Sequence, residues 1–369
     1  MSLRHSSLSL ALVAAGLLAV SAPAQQAASP RAGTNPMQGI RSTKPLEARL
    51  WSSDARDRHV ALIGIGKDKL AYANREQPTV LQGVVPLESV QRAQFELEMD
   101  YAELAKAENT RDWVGVYRVL NAGLAPAMPY LVLPDNNAAD WVMQMAGVMM
   151  RIAARGEREG DGEEARARVT KQYEAAYNVF KQLAAIDWSP IGTLSVIKGS
   201  QCLLKIGKPK TAQFYLDEMP EPMPGDASYG SYWLTQGLLA AQRGESRKAL
   251  EYAILSVAFE DKDIESFPDA LMLSALCYEE QEEWYRARDI YFEVASLFPN
   301  TDWADDAAGR LETILKNRQT EEEEESVIEN VFFAVEEDIN ELGRKLLRDR
   351  ARAQSDLDEE PARRRPPVE

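Results

Sequence analysis

Residues 233–299 read WLTQGLLAAQRGESRKALEYAILSVAFEDKDIESFPDALMLSALCYEEQEEWYRARDIYFEVASLFP. Apolar residues return here every three or four places, the period of a helix with one buried face. Trp233, Gly237, Gly244 and Ala249 form one set of landmarks, and Leu273, Ser274, Ala287, Tyr291 and Pro299 form the next. Working outward, Gly199 and Ala212 fit an earlier copy, and Ala175 or Ala176 with Phe180 fits one before that. From Ala175 the small-residue anchors step by 37, 37 and 38 residues. The helical period runs from about residue 100 to 350, with Pro and Gly between segments at Ala125-Pro126, Ser189–Gly192 and Met219–Pro222. Small residues let two helices of a hairpin approach closely, aromatic residues fill the gap to the next hairpin, and Pro ends the second helix. A single hairpin cannot bury its own apolar face, so stacking creates the core.

In these landmarks the chain resembles the tetratricopeptide-repeat (TPR) family, whose pattern sets Trp, Leu-Gly, Tyr, Ala, Phe and Pro over about 34 residues. Gln236, Ala240 and Ala253 stand where that pattern has Leu, Tyr and Phe. Residues 296–311, SLFPNTDWADDAAGRL, are similar to envelope members of the family, the outer-membrane assembly lipoproteins and the periplasmic coordinator of the Tol-Pal system. The resemblance covers residues 165–316 and implies a mainly α fold, a TPR-like solenoid. It also implies that the first helix of each repeat lines a concave groove. That places Gln201, Lys205, Leu238, Gln242, Leu276, Glu279 and Glu280 in the groove, a mixed surface suited to a peptide or helix. Repeat packing is the other reading of those seven residues. The repeat domain is expected over 100–318, with the loop at 156–163 interrupting its period.

The flanks differ. Residues 1–24, MSLRHSSLSLALVAAGLLAVSAPA, have a basic start, a 13-residue apolar run from Leu8 to Val20, and Ala22-Pro23-Ala24. That is the pattern of a secretory signal peptide, with a run too short to span a bilayer. No Cys lies near the cleavage site, a departure from the assembly lipoproteins. Export follows as an expectation, to the periplasm or beyond it, with no membrane span left after cleavage. Residues 25–57 read as a disordered lead-in. Residues 58–99 read as a small β module with four strands near 60–65, 69–73, 79–85 and 94–99, packed on the helices that follow. Glu321–Glu325 is an acidic run. Ile328, Phe332, Val335, Ile339, Leu342 and Leu346 then recur at alternating fours and threes. The helix so predicted within 319–351 either caps the last repeat or forms a homodimer seam through 326–350, and the cap is preferred. Residues 352–369 read as a charged, Pro-rich tail.

Composition narrows the function. Lys and Arg number 42 against 58 Asp and Glu, a net charge of −16, which argues against nucleic acid and anionic lipid as partners. Two His and two Cys leave little for imidazole chemistry or a disulfide scaffold. Signal cleavage leaves His59 as the sole histidine and a charge of −17. Cys202 and Cys277 occupy equivalent places two repeats apart, so both are expected to be buried and reduced. Gly64-Ile65-Gly66 lacks the third Gly of a dinucleotide fingerprint. Ser195-Val196-Ile197-Lys198 matches a Ser-x-x-Lys nucleophile motif without its partner motifs. Asp261-x-Asp263-x-Glu265 lacks the turn Gly and final Glu of a calcium loop. Asp161 and Glu163 form an acidic loop. The expectation is a non-catalytic scaffold with no cofactor or metal, binding a protein or peptide in the cell envelope. A homo-oligomer built through the C-terminal helix is one alternative. A hydrolase using Ser195 and Lys198 is the other.

Overall fold

Leu46, Ala48 and Leu50 alternate with Glu47 and Arg49, the period of a strand with one buried face. They lie on β1 (Ile40–Ser52), the strand next to the centre of an antiparallel sheet. The sheet continues with β2 (Asp57–Gly66), β3 (Lys69–Asn74), β4 (Gln77–Pro86) and β5 (Val90–Phe95), in the order β4-β3-β2-β1-β5. The computed structural model describes residues 37, 39–53, 57–160, 162–258 and 266–318. The expected signal peptide, the C-terminal helix and the tail lie outside them, as do the acidic residues 261–265.

Three sequence expectations about this module are corrected. The sheet has five strands, and it begins at Ile40 inside the segment read as lead-in. Pro45 hid β1, because a proline cannot donate to a ladder. It is accommodated where the β1–β2 register shifts between Ser42 and Leu46. The last strand ends at Phe95, short of the expected 94–99 run, because Asp100 opens the first helix.

The inner face of the sheet (Leu46, Ala48, Leu50, Val60, Leu62, Leu70, Val85, Val90, Ala93, Phe95) shares one core with the first four helices. Those are α1 (Tyr101–Asn109), α2 (Trp113–Leu124), α3 (Ala139–Glu159) and α4 (Glu163–Leu183). Two asparagines join sheet to helices. Asn137 accepts from the Phe95 N–H at 2.8 Å and donates to its carbonyl at 3.0 Å, standing in for a neighbouring strand. Buried Asn136 donates to the Leu131 and Leu133 carbonyls and accepts from the Ala138 and Ala139 N–H groups at the start of α3.

Seven more helices follow: α5 (Ile191–Lys205), α6 (Pro209–Asp217), α7 (Tyr229–Gln242), α8 (Ser246–Ala258), α9 (Ser266–Glu280), α10 (Trp284–Leu297) and α11 (Asp302–Arg318). They form TPR-like hairpins. Ala176, Ala212, Ala249 and Ala287 are fully buried in the second helices α4, α6, α8 and α10, where the anchors are expected. Ala176 is the buried one of the first pair, and Ala175 is half-exposed. A Cβ on Gly237 of α7 would stand 2.8 Å from Leu273 Cδ2 and 3.2 Å from the Ala249 carbonyl oxygen, so that approach needs glycine. Trp233 stacks on Tyr252 of α8 at 5.2 Å between ring centroids.

One turn repeats through the array. Four amides reach five residues back, Asp112 to Ala107, Lys208 to Leu203, Glu245 to Ala240 and Glu283 to Tyr278, at 2.8–3.0 Å. The residue before each donor is left-handed: Arg111 (φ 52°), Gly207 (74°), Gly244 (72°) and Glu282 (61°). This is the Schellman ending of a helix. It joins α1 to α2, α5 to α6, α7 to α8 and α9 to α10, so the α1/α2 hairpin belongs to the array. The α3–α4 connection differs. Helix α3 runs through the expected loop to Glu159, and Gly162 (φ 92°) precedes α4. Glu163 is thus the first residue of a helix and not part of a loop.

Candidate protein-binding surface

The first helices of the hairpins, α3, α5, α7 and α9, end close together. Their C-terminal side chains form a contiguous row. Lys205 Nζ on α5 pairs with Glu157 Oε2 on α3 at 2.8 Å and lies 5.8 Å from the centre of the Tyr173 ring. Gln242 Nε2 on α7 donates to the Leu204 carbonyl of α5 at 3.2 Å. Glu280 on α9 accepts a hydrogen bond from the Ser246 hydroxyl on α8. Glu279 pairs with Arg310 of α11 at 3.3 Å. Burial, followed by the nearby Glu157 charge, raises the Tyr173 phenol above its ordinary range. Burial followed by contact with Glu279 does the same to Tyr291.

The seven sequence-predicted residues therefore divide. Lys205, Gln242 and Glu280 lie along this row exposed, while Glu279 is mostly buried, its side chain 16% exposed. Leu238 and Leu276 are half-buried; Leu238 packs between the cores on either side of α7. Gln201 is only 6% exposed, and its amide donates to Thr235 Oγ1 at 2.9 Å. It is an interhelical tie in the wall of the solenoid.

Lys198 on α5 reaches past α7 to the Ser266 hydroxyl at the start of α9, at 3.4 Å, and Ser266 meets Ser231 of α7 at 2.7 Å. Ser195 is 1% exposed, and its hydroxyl faces the Met143 sulfur at 3.5 Å. The Ser195–Lys198 pair is thus not assembled as a nucleophile and base. The two side chains hydrogen-bond different neighbours, Met143 of α3 and Ser266 of α9.

Sequence reasoning missed a second cluster. Arg111, in the α1–α2 turn, pairs with Asp302 at 3.5 Å and Asp305 at 3.1 Å on the first turn of α11. Arg158, near the end of α3, pairs with Asp302 at 3.3 Å and Asp306 at 3.0 Å. The Trp113 indole N–H donates to Asp302 at 3.3 Å. Burial works against the Arg158 charge, but Asp306 and Asp302 outweigh it and raise its pKa. The three aspartates at 302, 305 and 306 were a visible signal; their partners some 150–190 residues earlier were not.

His59 lies on the outer face of the sheet, with Nε2 2.6 Å from Glu96 Oε1 and Nδ1 3.1 Å from Arg75. Arg75 also pairs with Glu47. Glu47, His59 and Glu96 bring ligand-type atoms within 4.8 Å of one another. Arg75 stands among them, so the group is satisfied as an ion-pair network. The hydrogen bond from His59, opposed by partial desolvation and aided by Arg75, lowers the Glu96 pKa. Cys202 and Cys277 are both buried and free, as their spacing implies. Burial pushes the Cys202 thiol up to about 12 and the Cys277 thiol up to about 11. Among the described residues, no helix is long and apolar enough to cross a membrane.

No protein-family model matches the chain, and no curated protein matches it. Among solved structures, the crystal structure of the TPR domain of P58(IPK) aligns at 14% identity and a TM-score of 0.29. The alignment covers 60% of this chain and 66% of that one, just under two thirds of its length. The assignment of TPR-like hairpins rests on the buried anchors and the repeated turn described above.

Proposed function

We propose that this chain is a non-catalytic, exported scaffold that binds a partner protein or peptide in a bacterial-type cell envelope. The observation that supports this reading is the row of helix ends. Helices α3, α5, α7 and α9 carry Glu157, Lys205, Gln242, Glu279 and Glu280 at their C-terminal ends. Alternating charge and amide groups on a rigid edge suit recognition of a polar peptide or helix, where electrostatic complementarity sets specificity. Export rests on the leader pattern of residues 1–24, and an envelope setting rests on the resemblance of residues 296–311.

The test is a crosslinked pull-down of the mature protein from its native envelope, read by mass spectrometry. A specific partner whose capture is lost with Lys205→Glu and Gln242→Ala supports the scaffold. Capture of the protein's own copies alone, surviving both changes and lost on deleting 326–350, replaces it with a structural oligomer. Export is checked by N-terminal sequencing of the native protein; a mature start at Gln25 supports it, and an intact Met1 in the cytoplasm refutes it.

A further inference from the structure

Each hydrophobic core in the helical array joins elements adjacent in the chain. One joins the sheet to α1–α4 and the edge of α5, one joins α5 to α7, one joins α7 to α9, and one joins α9 to α11. None joins α3 to α11 among the described residues. Yet the array winds until the end of α3 meets the start of α11. What meets there is polar: Arg111 and Arg158 on one side, Asp302, Asp305 and Asp306 on the other, with the Trp113 indole N–H on Asp302. Arg158 also donates to the Asp302 carbonyl at 3.3 Å. The pairing side chains are not sealed from water, with Arg111 31%, Arg158 32% and Asp302 25% exposed.

The placement suits both helices. Asp302, Asp305 and Asp306 sit at the positive end of the α11 dipole, and Arg158 sits at the negative end of the α3 dipole. Each group is stable on its own helix when the two ends part. The contact can therefore open without stranding a buried charge, which a desolvated ion pair cannot do. A closure of this kind carries the salt dependence of exposed ion pairs.

We propose that this contact is a reversible electrostatic latch. It holds the α1–α2 turn and the end of α3 against the start of α11, the last described helix. The latch does not depend on the scaffold reading above. Parting Arg111 and Arg158 from α11 leaves all four cores intact.

The experiment measures a distance in the full mature chain. Spin labels replace Glu108 at the end of α1 and Ala308 on α11, both exposed. The native thiols Cys202 and Cys277 are buried away from the reagent. Distances between the labels are recorded by double electron–electron resonance from about 0.05 M to about 1 M salt, where the screening length shrinks to about 3 Å. The expected result is a short distance at low salt and a second, longer population that grows at least about tenfold at high salt. Arg158→Glu produces the longer population at low salt, and combining it with Asp306→Arg, at the carboxylate that pairs with Arg158 at 3.0 Å, restores part of the short one. Asp305→Asn, at a mostly exposed site, gives an intermediate shift. Hydrogen exchange in α7 and α8 stays unchanged throughout, which separates opening from unfolding. A short distance that persists at all salt concentrations and in Arg158→Glu overturns the latch. So does failure of the charge-swapped combination to restore closure. If the latch fails while Lys205→Glu still abolishes capture, the edge binds without a latch. If no partner is captured while the distance responds to salt, the latch stands and the scaffold reading falls.

Discussion

The α9–α10 turn uses Glu282 where the two preceding hairpins use Gly207 and Gly244. All three residues are left-handed, and all three turns close with the same five-back hydrogen bond. An L-residue with a Cβ pays about 1–2 kcal/mol in that region. Glycine avoids the clash, but its freer unfolded chain returns about 0.5–1 kcal/mol of that gain. The Glu282 side chain is exposed, so little packing is lost with it. Glu282→Gly is therefore expected to stabilise the protein by about 0.5–1 kcal/mol, a rise in Tm of about 1–4 °C for a chain of this size. The converse change, Gly244→Ala, is expected to destabilise by about 1–2 kcal/mol. Urea midpoints at fixed pH read the global effect. Exchange of the Glu283 amide, which donates to the Tyr278 carbonyl at 2.9 Å, reads the local one. A solenoid distributes stability between neighbouring hairpins, so slower exchange should extend into α9 and α10 and fade toward α5. A lower midpoint for Glu282→Gly, or a neutral Gly244→Ala, refutes the claim that these turns share one conformation.

Ala212→Leu, Ala249→Leu and Ala287→Leu each force a larger side chain into a fully buried hairpin contact; each should cost about 1–3 kcal/mol, read in thermal melts. Asn137→Ala strips both backbone partners from Phe95, and a loss of about 1–3 kcal/mol in urea unfolding is expected. Burial holds the Cys202 proton to about pH 12 in the folded chain, against an ordinary thiol value of 9.0. The unfolded chain loses that proton first, so this stabilisation is complete below pH 9.0 and is lost as pH rises toward about 12. Urea midpoints taken across that window should fall less steeply in Cys202→Ala.

Much of the helical array was legible because it repeats. Ala212, Ala249 and Ala287 announced themselves by spacing, and Cys202 and Cys277 by sharing a repeat position. The first hairpin was harder. Its turn uses Arg111 where a glycine would have marked a helix end, so only the backbone shows its kinship with Gly207 and Gly244. Strand β1 was lost for a comparable reason: Pro45 and a polar, small-residue approach obscured the short Leu46–Leu50 alternation. The row of helix ends was half legible. Sequence placed Lys205 and Gln242 on it, but helical offset alone could not tell that Gln201, four residues before Lys205, turns into the Thr235 contact. The clasp was not legible at all, since it depends on how far four successive hairpin steps rotate the chain.

That rotation is set by the apolar contacts, and the order of forces follows. Each hairpin step is fixed by a buried core and by close approaches such as Gly237 against Leu273 and the Ala249 carbonyl. Replacing a methyl group in such a contact changes stability by about 1–3 kcal/mol. An exposed ion pair supplies about 0–1 kcal/mol. The clasp therefore cannot bend the solenoid; it selects among curvatures the cores already permit. Enlarging Ala249 should then shift the α1–α11 distance even with every clasp residue present, because the error is introduced upstream and carried through α9 to α11. Neutralising Asp305 should change the populations of open and closed forms while leaving each form's distance where it was.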